Sequence, residues 1–142
     1  MAQAEIKEIL NVPSDKLYKA ITSYAQYPQF VEGCTQAQVT RQSDTLAQVD
    51  YKVSMIKDVS YSLKHEEDPA NKTMQWSLIR SDFMKKNSGR WALKDLGSDR
   101  TEVAYQVEVE FAFPVPGLIL NRLIKGQLPG MVKSFEKFAK TF

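Results

Sequence analysis

The chain has 142 residues, 43% hydrophobic and 25% charged, with 19 Lys and Arg against 17 Asp and Glu; this predicts one globular domain, residues 1–142, that folds without disulfides or a structural metal. One Cys and one His are too few for a zinc site of Cys and His ligands and leave only His65 for a Ser-His-Asp or Cys-His arrangement, so composition leans away from catalysis and toward binding. Neither G-x-x-x-x-G-K-S/T nor G-x-G-x-x-G occurs, and a net charge of +2 is too small to point to DNA.

Residues 5–12 carry β-branched side chains in rough alternation and read as a first strand, closed by Pro13. Ser14 is placed to cap a helix whose apolar positions Leu17, Ile21 and Tyr24 recur at intervals of four and three. Tyr27-Pro28-Gln29-Phe30-Val31 reads as a second short helix or turn, with Pro28 suited to a first helical position and Gly33 to the residue after a helix end. From Thr35 to Phe113 the period falls to two, which predicts five or six antiparallel strands. The clearest covers residues 101–113, where Val103, Tyr105, Val107, Val109 and Phe111 share one face and Glu102, Gln106, Glu108 and Glu110 the other. Ala47, Val49, Tyr51, Val53 and Met55 alternate likewise, as do Val59, Tyr61 and Leu63, and then Met74, Trp76 and Leu78. Turn-forming residues cluster at 42–44, 56–58, 68–71 and 97–99.

Beyond Pro114-Val115-Pro116-Gly117 the period returns to about 3.6. Leu120, Leu123, Ile124, Leu128, Met131, Val132, Phe135, Phe138, Ala139 and Phe142 form one stripe, a single long amphipathic helix or two in line. Pro129 lacks an N–H and its ring crowds the preceding turn, which predicts a kink or break near Gly126. No apolar run approaches the ~18–20 residues of a membrane span. The expected fold class is α+β: a curved antiparallel sheet of about seven strands wrapped around a long C-terminal helix, with two short helices after strand one and a space between sheet and helix.

This order, with Val12-Pro13-Ser14 opening the first helix, Tyr27-Pro28-Gln29-Phe30 in the second, Gly89-Arg90-Trp91 in a late strand and Met131-Val132-Lys133-Ser134-Phe135-Glu136 in the last helix, resembles the START-like, helix-grip (SRPBCC) superfamily over essentially the whole chain. Within it the chain is most similar to the polyketide cyclase/dehydrase-like and coenzyme Q-binding START-like group, which includes the ribosome-association toxin. The resemblance implies a lipid, quinone or polycyclic aromatic ligand held between sheet and helix. It departs from the coenzyme Q-binding and toxin pattern in carrying Glu32-Gly33-Cys34 where those proteins have a Trp-Cys or similar pair. A fold alone does not fix function.

In such a grip the apolar alternates face the ligand space, with a few polar groups to orient what is bound. From the sheet the candidates are Tyr51, Tyr61, His65, Trp76, Arg80, Trp91, Tyr105 and Val107; from the helix they are Leu123, Leu128, Met131 and Phe135. They either line a cavity or fill a dry core. The Tyr and Trp among them favour a cavity as a set, since each buried O–H or N–H needs a partner that ligand, water or neighbour supplies. His65 continues the register of Val59, Tyr61 and Leu63, so it either meets a ligand carbonyl as donor, acceptor or proton carrier, or sits at the rim beside Glu66, Glu67 and Asp68. Arg80 continues the alternation of Met74, Trp76 and Leu78. An inward guanidinium must be met by an acidic ligand group or an internal acid such as Glu8 or Asp82, unless it reaches solvent at the strand end; Asn87 is placed near it across the next hairpin. Cys34 reads as a small buried residue rather than a nucleophile. No catalytic residue is assigned, and neither metal nor cofactor is expected.

The uncharged segment 111–120 joins the last strand to the final helix. From Pro114 to Phe142 five bases oppose the single acid Glu136, a charge of +4 set against −2 for the rest of the chain. Phe113, Val115, Leu118, Ile119, Arg122 and Lys125 form a candidate gate suited to transient docking on an anionic membrane, or else pack against the two short helices. The expected function is binding and transport or chaperoning of a lipophilic small molecule. The alternatives are an aromatic cyclase/dehydrase-type enzyme, in which Arg80, His65 or a Tyr polarises a carbonyl, and a ribosome-interacting toxin-like protein that uses the basic helix. Expected partners are thus a hydrophobic small molecule, a transient membrane surface or the ribosome, and not DNA. The lone Cys34 and the absence of an N-terminal secretion signal predict a cytoplasmic protein, at most peripheral to a membrane.

Overall fold

In the computed structural model, which describes residues 2–54, 58–122, 126 and 128–142, the period-two stretches become seven strands of one curved antiparallel sheet. These are β1 (Ala2–Leu10), β2 (Cys34–Arg41), β3 (Leu46–Ser54), β4 (Asp58–Asp68), β5 (Thr73–Ser81), β6 (Met84–Gly97) and β7 (Arg100–Phe111). Consecutive strands from β2 to β7 are neighbours, and β1 closes onto β7, giving the order β1-β7-β6-β5-β4-β3-β2. Where the strands reverse most tightly the backbone turns left-handed, at Lys72 between β4 and β5 and at Gly97, Ser98 and Asp99 between β6 and β7. Of the expected turn at 56–58, only Asp58, the first residue of β4, is described; Met55 and the stripe residues Leu123 and Ile124 also lie outside the described residues.

Between β1 and β2 run α1 (Ser14–Ile21), a 3₁₀ turn (Tyr24–Gln26) and α2 (Tyr27–Phe30). Leu17, Ile21 and Tyr24 are buried, as their spacing requires. Ser14 does not cap α1: it is the first helical residue and is itself buried, while Pro13 occupies the cap position and its carbonyl accepts the Leu17 N–H at 3.1 Å. The proline ring presets the chain's entry into the helix without a side-chain cap.

The described parts of the C-terminal stripe are α3 (Gly117–Asn121) and α4 (Leu128–Ala139), with Arg122 and Gly126 in π-helical conformation. Pro129 falls in the first turn of α4, where a missing N–H breaks no helical bond. Val132, Phe135 and Ala139 are buried against the sheet and α1. The helix ends at Ala139, so Phe142 leaves the stripe; its ring lies 5.2 Å from that of Phe138, with the Lys19 ammonium 4.5 Å from its centroid. A second cluster, Val59, Phe83, Met84 and Val109, sits toward the other end of the strands, with Leu120 packed on it and the Phe113 ring edge-on to Phe83 at 4.8 Å. The segment leading into α3 therefore packs on Phe83. Among the described residues no helix is long and apolar enough to cross a membrane.

One irregularity bears directly on the site. The β4–β5 ladder pairs Leu63 with Leu78 but Ser62 with Arg80, so β5 carries one extra residue, Ile79, as a β-bulge. The alternation of Met74, Trp76 and Leu78 breaks there, and Arg80 emerges on the opposite face.

Candidate ligand cavity

Between the inner face of the sheet and α4 lies a cavity of about 550 Å³. Its walls are the inward alternates: Tyr51 and Val53 of β3, Tyr61, Leu63 and His65 of β4, Met74 and Trp76 of β5, Asn87 and Trp91 of β6, and Tyr105, Val107 and Val109 of β7. Tyr27, Val31, Gly33 and Cys34 close one end, and Leu128, Met131, Ser134 and Phe135 contribute from α4. Among the described residues its only formally charged lining residue is Glu32, which is exposed.

The aromatic rings form a continuous wall. Tyr105 lies 5.5 Å from Trp76 and 4.7 Å from Trp91, Trp91 lies 4.9 Å from Phe135, and Phe135 meets Tyr27 edge-on at 5.3 Å. Their polar atoms divide into two groups. Tyr27 O–H donates to the Ile21 carbonyl, the Trp76 indole N–H donates to Asn87 Oδ1 at 3.0 Å, and Tyr51 Oη lies 2.9 Å from His65 Nε2. The hydroxyls of Tyr61 and Tyr105, by contrast, have no hydrogen-bond partner among the described residues although both line the cavity. Burial pushes the pKa of each of these tyrosines well up, and Tyr61 lies close enough to raise those of Tyr51 and Tyr105 further. They are neutral O–H groups at physiological pH.

His65 is 3% exposed, which places it in the cavity wall and not at the rim. Its ring stacks on Tyr24 at 4.3 Å, and Nδ1 lies 3.3 Å from Met74 Sδ. Behind it Tyr24 O–H donates to Glu67 Oε2 at 2.6 Å, and Glu67 is held by the Arg41 guanidinium at 3.1 Å. Burial, and secondarily the Arg41 charge, pushes the imidazole pKa down to about 3, so it is neutral at pH 7. Burial likewise pushes the Cys34 thiol up to about 11, leaving it a protonated S–H directed at the Gln36 carbonyl.

The structure brings together Tyr51, Tyr61, His65, Trp76, Trp91, Tyr105, Val107, Leu128, Met131 and Phe135 of the sequence-derived set. Leu123 and Lys125 lie outside the described residues. Arg80 is a correction: the bulge at Ile79 turns its side chain, 70% exposed, onto the outer face, where it lies 3.6 Å from Asp50 rather than pairing with Glu8 or Asp82. Asp50 also accepts from the buried Ser62 hydroxyl, and its pKa is lowered by that bond first and by Arg80 last. Asn87 accordingly serves Trp76, not Arg80. Of the gate set, Leu118 is 84% exposed, Phe113, Ile119 and Arg122 are exposed and Val115 is half-buried. Tyr27, Met74 and Ser134 are cavity residues absent from that set; the signals were the Tyr-Pro-x-Phe run, the shared alternation with Trp76, and the helical spacing from Met131.

The unpartnered hydroxyls give a stability test. Tyr61→Phe and Tyr105→Phe are expected to leave stability unchanged or raise it by up to about 1 kcal/mol, whereas Tyr27→Phe, which deletes a satisfied buried bond, loses about 1 kcal/mol. Urea unfolding midpoints decide, and losses at Tyr61 and Tyr105 matching that at Tyr27 would contradict the assignment.

A curved antiparallel sheet closed by a C-terminal helix over an aromatic cavity is the START-like, helix-grip architecture. The aromatase/cyclase Zhui from Streptomyces sp. R1128 shares it at a TM-score of 0.86 and 11% identity, over 98% of this chain and 93% of that one. A START superfamily protein from Mycobacterium smegmatis shares it at 0.85 and 17%, over 98% and 97%. The sequence model described as polyketide cyclase / dehydrase and lipid transport matches residues 10–136, and the chain belongs to that family. Its relatives include the persistence and stress-resistance toxin PasT of Escherichia coli O6:H1 (strain CFT073), 23% identical over 140 residues covering 99% of this chain and 88% of the relative. The ribosome association toxin RatA of Vibrio cholerae serotype O1 is 23% identical over 142 residues, 99% of this chain and 96% of that protein.

Proposed function

We propose that the protein binds an uncharged lipophilic small molecule bearing an oxygen function, in the cavity between the sheet and α4, and carries or chaperones it. The observation that carries this reading is the pair of tyrosine hydroxyls, Tyr61 and Tyr105, unpartnered among the described residues and lining a largely apolar and aromatic space of about 550 Å³. Neither oxygen is sealed off, since the one fully enclosed side-chain oxygen or nitrogen without a partner among the described residues is Glu8 Oε2, so the space before both hydroxyls admits a small molecule whose oxygen pairs with them. The volume lies within the range of small-molecule sites, roughly 300–1,000 Å³. The family, whose description includes lipid transport, supports a ligand-binding domain. Of the groups a cyclase reading uses to polarise a carbonyl, Arg80 lies on the other face, leaving His65 and the tyrosines.

The test is native mass spectrometry of the purified protein together with titration of fatty acids, quinones and fused-ring aromatics, read by fluorescence of Trp76 and Trp91. Stoichiometric binding is expected, weakened about tenfold by the double substitution Tyr61→Phe, Tyr105→Phe and unaffected by Arg80→Ala on the outer face. A protein that carries nothing and takes up none of these classes refutes the proposal.

A second reading, ribosome association, is favoured by relatives of that name aligned over 99% of this chain and by the +4 charge from Pro114 onward. It requires co-sedimentation with ribosomal particles that falls steeply with salt, and no co-sedimentation at low salt dismisses it.

A further inference from the structure

Tyr51 and His65 share one hydrogen bond in the cavity wall, and the surroundings of the imidazole decide which of them donates. Nε2 lies 2.9 Å from Tyr51 Oη and Nδ1 lies 3.3 Å from Met74 Sδ. A thioether sulfur has lone pairs and no proton, so the nitrogen facing it carries the hydrogen. The ring is buried, stacked on Tyr24, and has no carboxylate hydrogen-bonded to it among the described residues, which keeps it neutral with a single N–H. Nε2 is therefore a bare lone pair, and the one proton of the Tyr51 hydroxyl is committed to it.

We infer that Tyr51, held by His65, faces the cavity as a hydrogen-bond acceptor only, while Tyr61 and Tyr105 keep hydroxyl protons free to donate, and that this polarity selects neutral aromatic or fused-ring molecules carrying a free hydroxyl over methyl ethers of the same shape. The inference rests on the cavity being the ligand site and names the ligand class for it. A phenolic O–H donates to Tyr51 while its own oxygen, or a second one, accepts from Tyr61 or Tyr105. A methyl ether at the same position meets Tyr51 lone pair to lone pair. Tyr51 and Tyr61 are adjacent, their ring centroids 5.5 Å apart, so one small oxygenated ring edge spans both. His65 is here a positioning residue: it sets the direction of the Tyr51 proton, and its burial behind Tyr51 and Met74 fixes that direction.

Two measurements test this. Because the chain has a single His, the imidazole ¹⁵N resonances of labelled protein belong to His65 alone. Nδ1 is expected in the protonated range and Nε2 in the bare range, and a protonated Nε2 overturns the inference whatever binds. In titrations with 1-naphthol, 1-methoxynaphthalene and naphthalene, 1-naphthol is expected to bind about tenfold more tightly than its methyl ether, and Tyr51→Phe, checked for folding by circular dichroism, is expected to abolish that preference while still binding naphthalene. Equal affinity of naphthol and ether in the native protein, or a preference that survives in Tyr51→Phe, overturns the inference and leaves the cavity reading standing. Binding of none of the three overturns the inference, and the cavity reading is then decided by the fatty acids and quinones. Should Tyr51→Phe fail to fold, the tautomer and the native-protein comparison decide without it.

Discussion

Gly89→Ala is expected to cost about 3 kcal/mol or more, at the upper end of what overpacking a sheet produces. A Cβ built on Gly89 would stand 2.2 Å from Trp76 Cζ2 and 2.3 Å from the carbonyl oxygen of Gln106. Trp76 is the registered partner of Gly89 across β5 and β6, so the indole occupies the space a side chain would need. The second obstacle is backbone and cannot swing aside: relieving it means parting β6 from β7 where Gly89 pairs with Val107. Moving Trp76 instead gives up its bond to Asn87 and its packing on Tyr105, both parts of the cavity wall. The substitution should therefore lower the urea midpoint and alter tryptophan fluorescence together. Gly130→Ala, in α4 with nothing within 4 Å of an added Cβ, serves as the control and should be neutral or stabilising by up to about 1 kcal/mol. A Gly89→Ala loss under 1 kcal/mol would show that the sheet yields more easily than this contact implies.

Gly89-Arg90-Trp91 is visible in the chain as a motif, yet the reason for its glycine depends on Trp76 of another strand and on a register that no local pattern states. The same distinction runs through the molecule. Seven strands, two short helices and an apolar C-terminal stripe are legible because burial on one face imposes period two or 3.6 on the residues themselves. The inward placement of His65 follows from the same arithmetic, since Val59, Tyr61 and Leu63 fix the face. Arg80 obeyed that arithmetic on paper and broke it in space, because a bulge inserts one residue without announcing itself in the residue types, and Ile79 is as apolar as the Leu78 before it. Alternation likewise names the wall of a cavity but not its width: the space under α4 is set by how far Leu128, Met131 and Phe135 stand from the sheet. The hydroxyls of Tyr61 and Tyr105 stand out only once the partners of Tyr27, Tyr51 and Trp76 are known.

Acid is expected to weaken the fold through His65 before ordinary carboxylates begin to titrate. An unfolded histidine takes up a proton near pH 6.5, whereas in the fold burial first, and the Arg41 charge second, hold the imidazole neutral down to about pH 3. Between those values the unfolded chain binds one more proton than the native one. Stability is thus intact above about pH 6.5 and is lost as pH falls toward 3, by about 1.4 kcal/mol per pH unit, a total of order 4–5 kcal/mol. That is a large share of the 5–15 kcal/mol typical of a domain. The groups packed on the ring, Tyr24, Tyr51, Met74 and Trp76, do not titrate in this window. Because His65 is the sole histidine and unperturbed carboxylates stay ionised above about pH 5 in both states, the window from pH 7 to 5 isolates it. Urea titrations should show the native protein losing about 2 kcal/mol across that window and His65→Gln losing almost none; parallel profiles would mean that the imidazole accepts a proton in the fold. Protonation there would also place a hydrogen on Nε2, which could no longer accept from Tyr51, so the neutral imidazole that sets the direction of the Tyr51 proton is the same species whose burial makes the fold sensitive to acid.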